Sequence, residues 1–260
     1  MAEYYLGLDS GSTASKCVIL NEEGTMVGHG LHPSGAGTDG PIAAVNDALA
    51  EVGITLDDLT GSCATGYGRH LVEWCDDQVS ELSCHAKGAG RLFPTAHTVI
   101  DIGGQDAKVL RIGDAGTLEN FVMNDKCAAG TGRFLDVMAS IFGCKVSELA
   151  DLDSQSTEVA PISSTCTVFA ESEVISKLAA GTPIPNIVAG VHTSVLERTY
   201  GLVRRLGTKP DVAMTGGVAL NAGLRKRLEG RLEQPILTSS LSQLNGALGA
   251  AIFASEKKRA

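Results

Sequence analysis

Two stretches of the chain share one pattern of apolar and polar positions. Residues 6–20 and residues 99–112 each contain an apolar strand, an aspartate, a glycine turn, a lysine and a second apolar strand. The aspartate and the lysine are seven positions apart in both stretches. Short apolar runs around glycine turns are typical of β-hairpins. The pattern therefore predicts a duplicated hairpin, one in each half of the chain.

Apolar residues at helical spacing follow each hairpin. Residues 41–51 show this spacing, with a proline at a favourable first helical position. The same periodicity predicts helices at residues 132–142, 168–180, 184–206, 220–228 and 243–254. Each half of the chain thus contains a hairpin followed by helices, which indicates an α/β protein with two related lobes. We expect an N-terminal lobe at residues 1–95 and a C-terminal lobe at residues 96–260, with the last helix free to pack on the N-terminal lobe.

The glycine turns of the two hairpins suit phosphate binding. Gly11, Gly103 and Gly104 allow backbone N–H groups to converge on an anion. One such turn alone is more often an ordinary hairpin turn, but its duplication with a matched aspartate and lysine favours a nucleotide site. Asp9 and Asp101 end their strands, where they could hold Mg²⁺ mainly through water.

A third glycine turn, at residues 214–219, follows another strand-like run and is expected to approach an adenosine. We expect the nucleotide to lie in the cleft between the lobes. The residues predicted to bind it are Ser12, Thr13, Ala14, Ser15, Lys16, Gly103, Gly104, Gly216, Gly217 and Gln243.

Composition narrows the class of protein. Hydrophobic residues make up 43% of the 260-residue chain and charged residues 20%, which is typical of a globular protein. The formal net charge of −9, with basic residues grouped only at the C-terminus, argues against nucleic-acid binding. No apolar run approaches the ~20 residues of a membrane helix. The first residues lack the basic region of a signal peptide, so a cytoplasmic protein is expected.

Two of the seven cysteines stand out. Cys127 and Cys166 each lie among small residues directly before a predicted helix, and two thiols are half of what a four-thiolate iron–sulfur cluster needs. Taken singly, each would more often be a small buried hydrophobe. An odd number of irregularly spaced cysteines does not indicate a disulfide framework. The other five are expected to pack or have no assigned role: Cys17, Cys63, Cys75, Cys84 and Cys144.

The motifs resemble those of the actin/sugar kinase/Hsp70 ATPase superfamily, whose two phosphate loops and adenosine loop occur in this order. Within that superfamily the chain resembles the BadF/BadG/BcrA/BcrD-type ATPases, which include the activators of 2-hydroxyacyl-CoA dehydratases. The resemblance covers nearly the whole chain and implies the ribonuclease H-like fold for both lobes. It is carried by residues 8–16, 64–69, 81–86, 99–106, 123–136, 163–174, 215–218 and 245–250.

The resemblance implies a homodimer with one [4Fe-4S] cluster between the subunits, held by Cys127 and Cys166 of each chain. It also implies that ATP hydrolysis with Mg²⁺ drives a low-potential electron to a partner 2-hydroxyacyl-CoA dehydratase, with ferredoxin or flavodoxin as the donor. Gln105 is the first candidate to orient the hydrolytic water, and Asp101 is the second. Asp9 completes the set of expected catalytic residues.

Other functions are compatible with the same motifs. A small-molecule kinase of the same fold would leave the two cysteine loops unexplained. A nucleotide switch without a redox role would use those cysteines only for packing. An electron-transfer ATPase could also serve a benzoyl-CoA reductase or a double-cubane cluster protein, because the chain contacts the partner enzyme and not the acyl-CoA.

Overall fold

The computed structural model describes residues 2–163 and 166–259, which form two compact units. The first unit contains the chain up to Ala96, the segment Ile112–Glu119 and the chain from Leu241 onwards. The second contains His97–Arg111 and Asn120–Ser240. No helix in the described ranges is both long and apolar enough to cross a membrane.

Each unit is organised around a five-stranded mixed sheet. The first sheet has the order β3-β2-β1-β4-β5 and the second the order β10-β9-β6-β7-β8. The strands of the first sheet are Tyr4–Ser10 (β1), Ser15–Asn21 (β2), Met26–His32 (β3), Gly61–Thr65 (β4) and Asp77–Gln78 (β5). Those of the second are Thr98–Ile102 (β6), Ala107–Ile112 (β7), Leu118–Asn124 (β8), Val212–Thr215 (β9) and Ile236–Leu237 (β10).

The two sheets repeat one topology. The central strand β1 pairs antiparallel with β2 and parallel with β4. Likewise, β6 pairs antiparallel with β7 and parallel with β9. The register places the aspartate of each hairpin opposite its lysine, because both hairpins turn over the same number of residues. The predicted duplication is therefore present in the strand order and in the pairing.

The helices cover the apolar faces of the sheets. Those of the first unit are Gly40–Val52 (α1), Glu81–Leu92 (α2) and Asn245–Arg259 (α8). Those of the second are Gly132–Phe142 (α3), Leu149–Ser154 (α4), Thr167–Ala179 (α5), Ile184–Leu206 (α6) and Ala222–Leu232 (α7). The predicted bounds of α3 and α6 are confirmed, and those of α1 and α5 agree to within a residue.

Two helices were not predicted and two begin later than expected. The periodicity indicated neither α2 nor α4. It predicted the last helix at residues 243–254, but α8 begins at Asn245 and continues to Arg259. For α7 it predicted a start at Leu220, but Gly217–Leu220 forms a 3-10 helix instead. Asn221 then caps α7, and its side-chain oxygen accepts the Leu224 N–H. A side-chain cap of this kind stops the helix from extending backwards.

Candidate functional site

The first hairpin turn belongs to the first unit and contains an ion pair. Lys16 Nζ lies 3.1 Å from Asp9 Oδ2, and the Lys16 side chain keeps 15% of its surface exposed. A Cβ on Gly11 would lie 2.7 Å from the carbonyl oxygen of Ala14, so the turn folds closely on itself. Its outer residues Ser12 and Thr13 stay partly exposed. The turn therefore presents small polar side chains and one cation, as phosphate binding needs.

Two neighbouring loops hold this turn in place. The Ala36 N–H donates to the carbonyl oxygen of Gly11, and the Gly68 N–H donates to that of Ser10, both at 2.8 Å. The Ser15 hydroxyl donates to the carbonyl oxygen of Ser34, also at 2.8 Å. Because neighbouring loops donate hydrogen bonds to its carbonyl oxygens, the rest of the unit constrains the conformation of the turn.

The second hairpin turn, in the second unit, differs in its charges. Lys108 is buried and pairs with two carboxylates, Asp101 at 3.1 Å and Asp106 at 2.5 Å. Asp101 also accepts a 2.6 Å hydrogen bond from the hydroxyl of Thr215. Lys108 is thus engaged inside the unit, whereas Lys16 is the more accessible of the two lysines. Gln105 is exposed beside this turn.

The second turn is bonded directly to the start of α3. The Gly132 N–H donates to the carbonyl oxygen of Gly103 at 2.9 Å, and the Arg133 N–H to that of Gly104 at 2.7 Å. The Thr131 hydroxyl donates to the Gly104 carbonyl as well, at 3.0 Å. These three bonds connect the predicted phosphate loop to the segment that carries Cys127. The sequence pattern did not reveal this connection, because it depends on how α3 packs.

Cys127 and Cys166 are exposed, unlike the other five cysteines of the described chain, which are buried or half-buried. Cys127 lies in the loop before α3, where the Asn124 side-chain amide donates to the Cys127 carbonyl oxygen at 3.0 Å. Cys166 is the N-cap residue of α5, and its side chain makes no capping bond. The helices α3 and α5 pack against each other in the second unit. Ser164 and Thr165, in the predicted cluster stretch, lie outside the described residues.

Cys17 and Cys75 are poor candidates for metal ligands, because a ligand must be a thiolate. Burial raises the pKa of the Cys75 thiol to about 12 and raises that of Cys17 still further. Within the described ranges, no group of three or more His, Cys, Asp or Glu side chains could hold a metal ion. Cys127 and Cys166, by contrast, are accessible, as thiolate ligands of a shared site would need to be.

The third glycine turn joins β9 to α7 in the second unit. Gly216 has φ +83°, and a Cβ there would lie 2.3 Å from the carbonyl oxygen of Ile102, so only glycine fits. Gly217 follows and is exposed. The other predicted nucleotide residue, Gln243, is half-buried in the 3-10 helix Ser242–Leu244 of the first unit.

Comparison with known proteins identifies similar chains over the full length. A family model of the BadF/BadG/BcrA/BcrD ATPase family matches residues 6–254. The (R)-2-hydroxyglutaryl-CoA dehydratase activating ATPase of Acidaminococcus fermentans is 55% identical over 258 residues, covering 99% of each chain. The activator of lactoyl-CoA dehydratase of Anaerotignum propionicum is 51% identical, covering 97% of this chain and 98% of its own.

Solved structures similar to this chain include another dehydratase activator. The activator of the 2-hydroxyisocaproyl-CoA dehydratase from Clostridium difficile, with bound ADPNP, has a TM-score of 0.95 at 49% identity, covering 98% of this chain and 96% of its own. A ROK family glucokinase from Streptomyces griseus has a TM-score of 0.56 at 13% identity, covering 97% and 99%, and shows likeness of fold alone. The predicted two-lobed fold of the actin/sugar kinase/Hsp70 type is confirmed.

Proposed function

This chain belongs to the BadF/BadG/BcrA/BcrD ATPase family, and we propose that it is an ATPase that activates a 2-hydroxyacyl-CoA dehydratase by transferring an electron to it. The relatives named as dehydratase activators support the ATP-dependent activation. The electron transfer is our inference from the two exposed cysteines. No finding favours the small-molecule kinase over this function.

The observation that carries the proposal is the bonding between a phosphate turn and a cysteine segment. Gly103 and Gly104 accept three hydrogen bonds from Thr131, Gly132 and Arg133. Cys127 is only four residues before Thr131 in the chain. A change in the turn on nucleotide binding or hydrolysis would therefore act on the cysteine segment through rigid, short bonds. Coupling between two sites needs such a physical connection.

We propose that Cys127 and Cys166 of two identical chains hold one [4Fe-4S] cluster. The accessible thiols support this, and so does the N-terminal end of α5 at Cys166, where free N–H groups favour an anionic ligand. Val168 and Phe169, beside Cys166, are 65% and 68% exposed, so a second chain could cover them. A bound cluster would supply one-electron transfer at low potential.

The two hairpin turns are proposed to bind the phosphates of ATP. In the first unit, Lys16 supplies the positive charge, Ser12 and Thr13 supply hydroxyl donors, and Ala14 and Ser15 complete the turn. Asp9 and Asp101 are proposed to hold Mg²⁺ through water molecules. Gln105 is the proposed residue that orients the attacking water, because it is exposed beside the second turn. Hydrolysis of this kind depends mainly on positioning and on charge stabilisation.

An anaerobic activation assay tests the proposed function. The protein is reduced with ferredoxin or flavodoxin, the proposed physiological donors, and mixed with a 2-hydroxyacyl-CoA dehydratase and its substrate. Dehydration is expected with ATP, but not with ADPNP or with the Cys166→Ser variant. Equal dehydration in the absence of ATP would contradict the proposal. Assays with several dehydratases would identify the partner enzyme, which the chain itself does not name.

A further inference from the structure

Buried polar side chains hold the third glycine turn at both of its ends. At the start, the Thr215 hydroxyl donates to Asp101 Oδ2 at 2.6 Å. At the end, the Asn221 N–H closes the 3-10 helix on the carbonyl oxygen of Val218 at 3.0 Å. The Asn221 side chain then reaches a histidine in another helix. The proposed function does not explain this contact between Asn221 and the histidine.

Asn221 uses both ends of its side-chain amide. Its oxygen accepts the Leu224 N–H at 3.0 Å and caps α7. Its nitrogen lies 3.1 Å from His192 Nε2. The cap requires the oxygen to face the helix, because only the oxygen can accept an N–H. The amide nitrogen therefore donates to His192, and His192 Nε2 must be the unprotonated ring nitrogen.

His192 is completely buried in α6 and is fixed from its other side. Its Nδ1, which must then carry the proton, lies 2.8 Å from Asp153 Oδ2. Arg227 binds the same carboxylate through two nitrogens, at 2.7 Å and 2.5 Å. Burial opposes ionisation of Asp153, but hydrogen bonds from Arg227 and His192 outweigh it and hold the pKa of this carboxyl below its usual range. An ionised Asp153 fixes the tautomer of the histidine ring.

This chain of bonds joins α4, α6 and α7 at the end of the third turn. In the turn itself, Val218 and Ala219 are buried in the core, whereas Gly217 and Leu220 are exposed. The exposed part of the turn therefore relies on the bonds at its ends as well as on this core contact. Loss of one of these bonds would leave more conformational freedom to be removed when a ligand binds, and this lowers affinity.

We propose that His192 is a positioning residue for ATP, which acts through Asn221 to hold the third turn in the conformation that receives the adenosine. The inference rests on the proposed function, because it takes the third turn as part of the nucleotide site. His192 does not contact the reacting phosphates in this account. Its removal is therefore expected to weaken nucleotide binding more than it slows hydrolysis at saturating ATP.

Four variants separate this role from a general effect on stability. His192→Leu removes the acceptor for Asn221, and His192→Gln retains an acceptor and a donor. Asn221→Ser keeps a side-chain oxygen that can cap α7 but is too short to reach His192. Arg231→Ala is the matched control, because it removes another contact between α6 and α7 at the far end of α7, where Arg231 makes a 3.3 Å bond to Glu197 and lies over the Tyr200 ring.

The experiment measures the Kd of ADP by calorimetry and kcat at saturating ATP. His192→Leu and Asn221→Ser are expected to weaken ADP binding about tenfold, with kcat changed less than about twofold. His192→Gln and Arg231→Ala are expected to bind ADP as the natural protein does. If His192→Leu does not fold, Asn221→Ser carries the test.

Unchanged ADP affinity in Asn221→Ser and in folded His192→Leu would overturn this inference and leave the proposed function intact. A fall in kcat as large as the loss of affinity would also overturn it, because that would assign His192 a role in the chemical step. If the natural protein failed to bind ADP at all, the proposed function would fail together with the inference.

Discussion

At the level of single residues, the two matched lysines do not have matched surroundings. Lys16 faces one carboxylate and stays partly exposed, whereas Lys108 is buried between two. One position accounts for this difference. Five residues after the aspartate that ends the first strand of the hairpin, the first turn has Ala14 and the second has Asp106. A second carboxylate neutralises the second lysine. The first lysine is consequently the better candidate for a phosphate contact.

Gln105→Ala tests the residue proposed to orient the hydrolytic water. We expect kcat for ATP hydrolysis to fall by about a hundredfold, because a poorly placed nucleophile costs about that much, while the Kd of ADP stays unchanged. Gln155→Ala, at another exposed glutamine of the second unit, is the control and should hydrolyse ATP normally. Full activity in Gln105→Ala would exclude this role and leave Asp101 as the remaining candidate.

At the level of elements, periodicity predicted best the bounds of two helices with large apolar side chains, α3 and α6. The bounds of α3 and α6 follow from Phe, Leu, Val and Ile at helical spacing. The same reasoning missed α2, whose buried face consists of small residues such as Cys84, Ala86, Gly88 and Ala89. Small side chains give a weak periodic signal, and glycine is a poor helix former. These small residues allow α2 to pack closely against α8, and this packing is visible only in the tertiary structure.

The same limit applies to the candidate site. The turns and the two exposed cysteines were predicted from local sequence, because each lies within one short segment. The contacts of Asp101 with Thr215 and of His192 with Asp153 and Asn221 join segments far apart in the chain. No local pattern marks such contacts, since they form only when distant strands pair and helices pack.

The close packing of α2 against α8 at a glycine can be tested by measuring the free energy of unfolding of a variant. A Cβ on Gly249 would lie 1.8 Å from the carbonyl oxygen of Cys84, so Gly249→Ala must push the two helices apart. We expect a loss of about 2 kcal/mol in the free energy of unfolding. Gly230→Ala is the control within α7, where a Cβ would meet nothing within 4 Å. It should stabilise by about 0.5 kcal/mol, since alanine favours helices.

Urea unfolding of both variants measures this difference. Equal stability of Gly249→Ala and the natural protein would mean that α2 and α8 are not packed as closely as described. A destabilised Gly230→Ala would contradict the open surroundings of that position in α7.

At the level of the whole molecule, the two units of the duplicated fold carry different sets of candidate site residues. Both units carry a hairpin turn suited to phosphate, and the exposed cysteines occur in the second unit alone. There the turn is bonded to the segment that leads from Cys127 into α3. We infer that nucleotide chemistry and redox chemistry meet in this unit, and that each chain supplies half of a cluster site.

The iron content of anaerobically reconstituted protein tests this central claim most directly. The natural protein is expected to be a brown dimer with about four iron atoms per dimer. Cys127→Ser and Cys166→Ser should contain no cluster yet bind ADP, and Cys144→Ser, at a half-buried cysteine, should retain the iron. A colourless, iron-free natural protein, or a full complement of iron in Cys127→Ser, would contradict the account.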